Sequence, residues 1–248
     1  MIIDVHAHLG YWYFPMQNPT AREISESMKR LGIDRSILSS SPGIVYDFRE
    51  GNRELAAAIA EFPELYGYVA VNLNYPEESV KEIDSYLLRG KENRFVGIKV
   101  HPALCSKSFD CDEALKICEA AARWNVPILI HTFGSPLESP KNVLRAAGLF
   151  PEVSFILGHF GGFAWEEGIE VGMAAENTYL EICSSCTDMR RVRRAVDAVG
   201  KERVLFGTDS TLFMVEYTLG AMDDMGLTEE ERTAIMGENA ERLFGFSV

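Results

Sequence analysis

Positive charge is scarce in this 248-residue sequence. Its 24 Lys and Arg face 37 Asp and Glu, which leaves a formal net charge of −13 at pH 7 and a pI near 4.9. Nucleic-acid binding rests largely on Lys and Arg neutralising phosphates, so this balance argues against a nucleic-acid partner. The one basic run, Arg190, Arg191, Arg193 and Arg194, reads as the solvated face of a helix. Uninterrupted apolar stretches of membrane-spanning length are missing as well, so no membrane association is expected. The first residues carry no basic segment followed by an apolar stretch and a small-residue cleavage site; no secretory signal is expected, and a cytoplasmic location is. Cysteine is sparse and odd in number, with Cys105, Cys111, Cys118, Cys183 and Cys186. That favours reduced thiols over a disulfide framework, and the lone Cys183/Cys186 spacing is too weak a motif to assign a metal or redox pair.

What the sequence has is a regular alternation of short apolar runs and amphipathic stretches. Strands are predicted in the opening ten residues and at 36–40, 65–72, 95–101, 126–132, 153–159, 179–183 and 204–209. Helices are predicted at 20–31, 52–62, 76–88, 111–124, 140–150, 164–175 and 188–199, with an amphipathic tail over 228–244. Thr20 with Glu23, and Thr228 with Glu231, have capping-box spacing, and Gly245 reads as a helix stop. Eight apolar strands alternating with helices imply a parallel sheet covered on both faces. At this length they favour closure into a (β/α)8 TIM-like barrel, one domain over 1–248.

The five histidines all fall at C-terminal ends of predicted strands: His6 and His8 on the first, His101 on the fourth, His131 on the fifth and His159 on the sixth. Asp209 ends the eighth. In a barrel these ends converge on one mouth, where such folds carry their chemistry. Imidazole ligands suit zinc, iron, nickel or copper rather than calcium or magnesium. Three neutral histidines and a carboxylate, with an open position for water, make a catalytic rather than a structural set. His6, His8, His131 and Asp209 are therefore the candidate ligands of one divalent ion, zinc first, with manganese or iron as alternatives. His159 is the candidate acid or base.

Around this set stand residues that would face the substrate or support the ligands. Lys99 lies two positions before His101 and shares its face, and Glu181 sits on the seventh strand; both need partners if buried. Strand alternation puts Asp4 on the face of His6 and His8, so an Asp4–Lys99 ion pair is expected. Tyr11, Trp12, Tyr13 and Phe14 form an aromatic loop expected to wall the pocket, and Arg49 is a candidate to reach a substrate carboxylate. Cys105 and Cys183 read as small apolar fillers.

The motifs IDVHAHLG, VGIKVHP, ILIHT, FILGHFGG and LFGTDS resemble the strand ends of the amidohydrolase superfamily, most closely the amidohydrolase-related branch that includes aminocarboxymuconate semialdehyde decarboxylase. The stretch 52–102 and the ending ENAERLF are similar to that branch too, so the likeness covers nearly the whole chain. It implies a metal on His6, His8, His131 and Asp209, a catalytic His159, and an Asp209 that also shuttles the proton of the attacking water. Relatives with two metals bridge them through a carboxylated lysine on the fourth strand, a role not expected of Lys99. The leading expectation is hydrolysis of a small carbonyl compound, a lactone, amide or related carboxylate, by a metal-activated water. Non-oxidative decarboxylation of a small aromatic or unsaturated carboxylate is the alternative. The short loop after the first strand and the lack of an obvious arginine at the mouth favour hydrolysis. A TatD-like nuclease is disfavoured by the acidic composition, and a barrel that binds without turnover by the presence of both His159 and Asp209. The partner is a small molecule, and the chain leaves room for a homo-oligomer.

Overall fold

The computed structural model describes residues 1–88, 94–183 and 188–246. Cys186, and with it the Cys183/Cys186 spacing, lies outside the described residues. Eight strands, β1 (Ile3–Leu9), β2 (Arg35–Ser40), β3 (Leu65–Ala70), β4 (Phe95–Val100), β5 (Ile128–His131), β6 (Phe155–Gly158), β7 (Thr178–Glu181) and β8 (Val204–Leu205), lie parallel in chain order. The ring is nearly closed by backbone hydrogen bonds from β1 to the segment after β8: Val5 N to Phe206 O (3.1 Å), Asp209 N to His6 O (2.7 Å) and His8 N to Ser210 O. The fold is the expected (β/α)8 barrel. The eighth strand is shorter than predicted because beyond Leu205 the chain pairs only at these isolated points.

A helix follows each strand: α1 (Ala21–Leu31), α2 (Phe48–Ile59), α3 (Pro76–Leu87), α4 (Asp112–Trp124), α5 (Leu144–Leu149), α6 (Trp165–Ala174), α7 (Met189–Val199) and α8 (Val215–Asp223). Both capping boxes form, at Thr20/Glu23 and Thr228/Glu231. Helix α2 starts four residues earlier than expected because Asp47 accepts from Arg49 N and caps it. Helix α8 was not foreseen, since its apolar residues carry no clear helical period. The tail α9 (229–244) is continuous but passes through one wide π turn at Ala234–Glu238. The arginine run of α7 is spent on ion pairs and stacking: Arg193 binds Glu231 and Asp197, and Arg194 lies over Trp165. No helix among the described residues is long and apolar enough to cross a membrane.

The interior is layered. Ile3, Val5, Ile37, Tyr68, Leu129, Ile156 and Leu205 fill the lower barrel, closed beneath by Ala240, Leu243, Phe244 and Phe246. A larger layer packs the outward strand faces, such as Ile98, Val100, Ile128 and Leu157, against the helices. A cavity of about 670 Å³ opens at this lower end, among Tyr66, Trp124 and Arg242, and holds none of the histidines. The five histidines gather at the other end, on or just after the strands that carry them.

Candidate active site

One irregularity in β1 positions the site. Asp4 pairs with Ser36, but Ala7 pairs with Leu38, so β1 carries one extra residue there. A one-residue bulge reverses the parity of every later side chain. Ile3 and Val5 accordingly face the barrel interior, yet so do His6 and His8, while Asp4 turns towards α1, where it borders a cavity with Ile24, Met28 and Ser36. This overturns the expected Asp4–Lys99 pair: among the described residues no ion pair joins them. Asp4 instead accepts from His6 N (3.0 Å), Thr208 N (3.1 Å) and Thr208 Oγ1 (2.6 Å). Burial drives its carboxyl up to about 7 against those hydrogen bonds.

His6 is held from both sides. Its Nδ1–H donates to Glu181 Oε2 at 2.7 Å, and its Nε2 accepts from Lys99 Nζ at 2.8 Å. The carboxylate thus assigns the tautomer and leaves the Nε2 lone pair towards the site. Glu181 also accepts from His159 N (3.1 Å), Cys183 N (2.6 Å) and Cys183 Sγ (2.9 Å). Gly207 leaves room for it, since a Cβ there would stand 2.3 Å from Glu181 Oε1. Glu181→Gln replaces an acceptor with an amide and frees the tautomer, and is expected to weaken divalent-ion affinity about 10–100-fold, read by competition with a fluorescent chelator. Unchanged affinity would remove Glu181 from this role.

Asp209 follows β8 in the left-handed region (φ 56°), between His8 Nε2 at 3.2 Å and His6 Nε2 at 3.7 Å. Burial pushes its carboxyl up, but the hydrogen bond from His8 and the fields of His159, His6 and His8 outweigh that and hold it well below the usual range. Burial lowers the pKa of all five histidines, and the field of Asp209 opposes it at His6, His8, His131 and His159. Lys99 is pulled down to about 8 by burial, opposed by Asp209, Cys183 and Glu181, and remains mostly an ammonium at pH 7.

His159 also has a left-handed backbone (φ 60°), as does Phe160 (φ 28°), and the turn continues through Gly161 and Gly162. Its Nε2 lies 3.1 Å from His131 Nδ1, and its Nδ1 lies 3.1 Å from Cys183 Sγ. His131 Nε2 in turn meets Glu138 Oε1 at 3.3 Å, and the His131 ring stacks on His101 at 3.9 Å. Donor atoms of His6, His159, Cys183 and Asp209 lie within 4.8 Å of one another, and those of His101, His131 and Glu138 form a second such group. His8 joins the first group through Asp209. Cys183, read as filler, and Glu138, in an aperiodic loop, are thus drawn into the constellation; only Cys183's place at the end of the predicted seventh strand could have signalled it. Trp12 is buried with its edge towards His8 (5.6 Å) and near His101 (6.3 Å), whereas Tyr11, Tyr13 and Phe14 are 54, 61 and 43% exposed. Arg49 lies over Phe48 and against Asp47.

The amidohydrolase family profile matches residues 3–246. The chain belongs to the amidohydrolase family. A search of curated protein sequences gave no match. In solved structures this amidohydrolase is similar to 2,6-dihydroxybenzoate decarboxylase from Rhizobium, with TM-score 0.81, 18% identity and 98% of each chain covered. It is similar to a dihydroxybenzoic acid decarboxylase from Polaromonas with bound manganese and 2-nitroresorcinol (TM-score 0.80, 20% identity, 98% of this chain and 96% of that one). It is also similar to a probable 2-pyrone-4,6-dicarboxylic acid hydrolase from Acinetobacter baumannii (TM-score 0.73, 16% identity, 99% of each chain). At these identities the likeness establishes the barrel of the amidohydrolase, an enzyme fold whose reaction the site must decide.

Proposed function

We propose that this amidohydrolase is a metal-dependent, non-oxidative decarboxylase of a small planar carboxylate, aromatic or unsaturated. The observation that carries the reading is the column of flat rings beside the donor cluster: His101 on His131 (3.9 Å, 12° between planes) and His131 on Phe133 (5.8 Å, 19°), with Trp12 near His101. Such faces favour a planar ring. The sequence put hydrolysis first, partly on the short loop after β1. The similarity to the Rhizobium decarboxylase over 98% of its chain takes that weight away. Hydrolysis of a lactone or amide stays the second reading, supported by the similarity to the pyrone dicarboxylic acid hydrolase.

The residues fit a divalent ion. His6 offers an Nε2 lone pair whose tautomer Glu181 assigns, Asp209 is ionised beside it, and His8 has a buried Nδ1 with no hydrogen-bond partner. His6, His8 and Asp209 would hold the ion, zinc or manganese, with His131 as the fourth ligand. When bound, the ion supplies a Lewis acid that orients the carboxylate. The chain's own work is then proton handling. As the carbon–carboxylate bond breaks, its electron pair stays on the ring carbon, carbon dioxide leaves, and His159 hands that carbon a proton. His159 does this as an imidazolium, taking up the proton before the step and ending it neutral.

The test is a metal-reconstituted panel of dihydroxybenzoates and unsaturated carboxylates against lactones and amides. Carbon dioxide release from a carboxylate is expected; hydrolysis of a lactone or amide without it would overturn the reading. His159→Asn should keep the ion and lose at least about 100-fold in turnover, while His131→Asn should lose the ion, measured as metal content after dialysis. The reverse pattern would exchange the two roles.

A further inference from the structure

The loop after β1 is fastened at both ends and hardly at all between. It leaves the strand at Gly10, where φ is 94° and a Cβ would stand 2.6 Å from Pro42 Cδ, so only glycine fits. It enters α1 through the capping box of Thr20 and Glu23. The stretch 11–19 holds no helix or strand, and among the described residues no hydrogen bond joins it to anything. Of its nine residues Trp12 alone is buried.

That one anchor sits on the site. The Trp12 ring meets His8 and His101 on one side, and on the other it packs with Tyr13 (5.8 Å) and Phe14 (6.4 Å), which also touch each other at 5.1 Å. The three aromatics therefore form one body, and beneath it His6, His8, His101 and His159 are all buried. The second half of the loop has free space beside it: Met16, Gln17 and Pro19 line a cavity of about 480 Å³ shared with α1 and the segment 210–216. Burying one indole gains no more than ordering a few loop residues costs, so the loop's closed and open forms lie close in free energy.

We propose that Trp12 gates the site and selects what enters it. In the free protein its indole covers His8 and His101; the loop 11–19 swings away as one piece, and a small planar ring takes the indole's place. The vacated space is that of one indole, which suits a single substituted ring. The proposal rests on the proposed site in taking the histidine cluster as the place of binding, and not on which reaction follows there.

All five histidines of the chain belong to this site, so diethyl pyrocarbonate, which acylates unprotonated imidazole, reads access to it without background. If the open form holds no more than about a tenth of the molecules, the gate slows entry at least about tenfold. In the full chain stripped of metal, the histidines of Trp12→Ala are therefore expected to be acylated at least about tenfold faster than those of the wild type, with Trp12→Phe between. Motion of the gate is read on the wild type with Zn²⁺ supplied, by acrylamide quenching of Trp12. Subtracting the Trp12→Phe signal removes Trp124 and Trp165. Benzoate, as the planar probe, is expected to increase the quenching of Trp12, because the ring displaces the indole into solvent; a fixed wall would be shielded instead. Equal acylation rates in the wild type and Trp12→Ala, or an indole that benzoate shields or leaves unchanged, would each overturn the proposal. Should Trp12→Ala fail to fold, a wild-type acylation rate in Trp12→Phe would do the same. Failure to release carbon dioxide would sink the decarboxylase reading and leave these measurements standing.

Discussion

Asp4→Asn is expected to stabilise the metal-free protein above pH 7 and to change little near pH 4. In the fold the Asp4 carboxyl is raised to about 7, against an ordinary value near 3.8, because burial outweighs its hydrogen bonds. Between those values the folded state holds a proton that the unfolded chain has lost. Stability from this group is therefore full below the unfolded pKa and falls as pH rises towards about 7, where the loss levels off. Three pKa units correspond to about 4 kcal/mol as an upper figure. Asparagine keeps the geometry: its oxygen accepts from His6 N and Thr208 N as Asp4 Oδ1 does, and its amide donates to Thr208 Oγ1. Urea unfolding with a chelator present should show the variant's advantage widening from pH 4 to 7 and flat above. An advantage independent of pH would mean that Asp4 is not the titrating group.

The same residue marks where sequence reading stopped. The eight strands were legible because each apolar run must be covered on both faces, and the site's members because barrel strand ends converge. What strict alternation could not reveal is the extra residue in β1. It leaves His6 and His8 inside as expected but sends Asp4 to the helix layer, and it leaves Lys99 without its predicted partner. Glu138 and the line from His131 through His159 to Cys183 were hidden for a different reason. They depend on loop conformations after β5, β6 and β7 that no hydrophobic period encodes, including the left-handed residues His159 and Phe160. Such backbone positions persist only where surrounding structure holds them, here the Glu181 carboxylate on His159 N and the Thr132 hydroxyl on Gly161 N.

Asp209→Asn is expected to lower turnover by about 10²–10⁴-fold even when the ion is supplied to saturation. Asp209 is the buried carboxylate that meets both β1 histidines, and the surrounding imidazoles keep it ionised despite burial. Asparagine retains its size and the oxygen facing His8 but removes the negative charge, so two losses follow. Affinity for a divalent cation drops because a neutral amide replaces an anionic ligand, and an ionised proton acceptor disappears from the site. Metal content measured alongside activity separates them. A variant that fills with metal and stays inactive assigns Asp209 to the chemistry as well as to the ion. Activity restored in full by excess metal would confine it to holding the ion, and undiminished turnover at ordinary metal would exclude it from both. Because the Asp209 carboxyl is already held far down in the metal-free protein, its protonation does not account for a loss of wild-type activity in mildly acidic solution. Such a loss would instead report a histidine of the site taking up a proton.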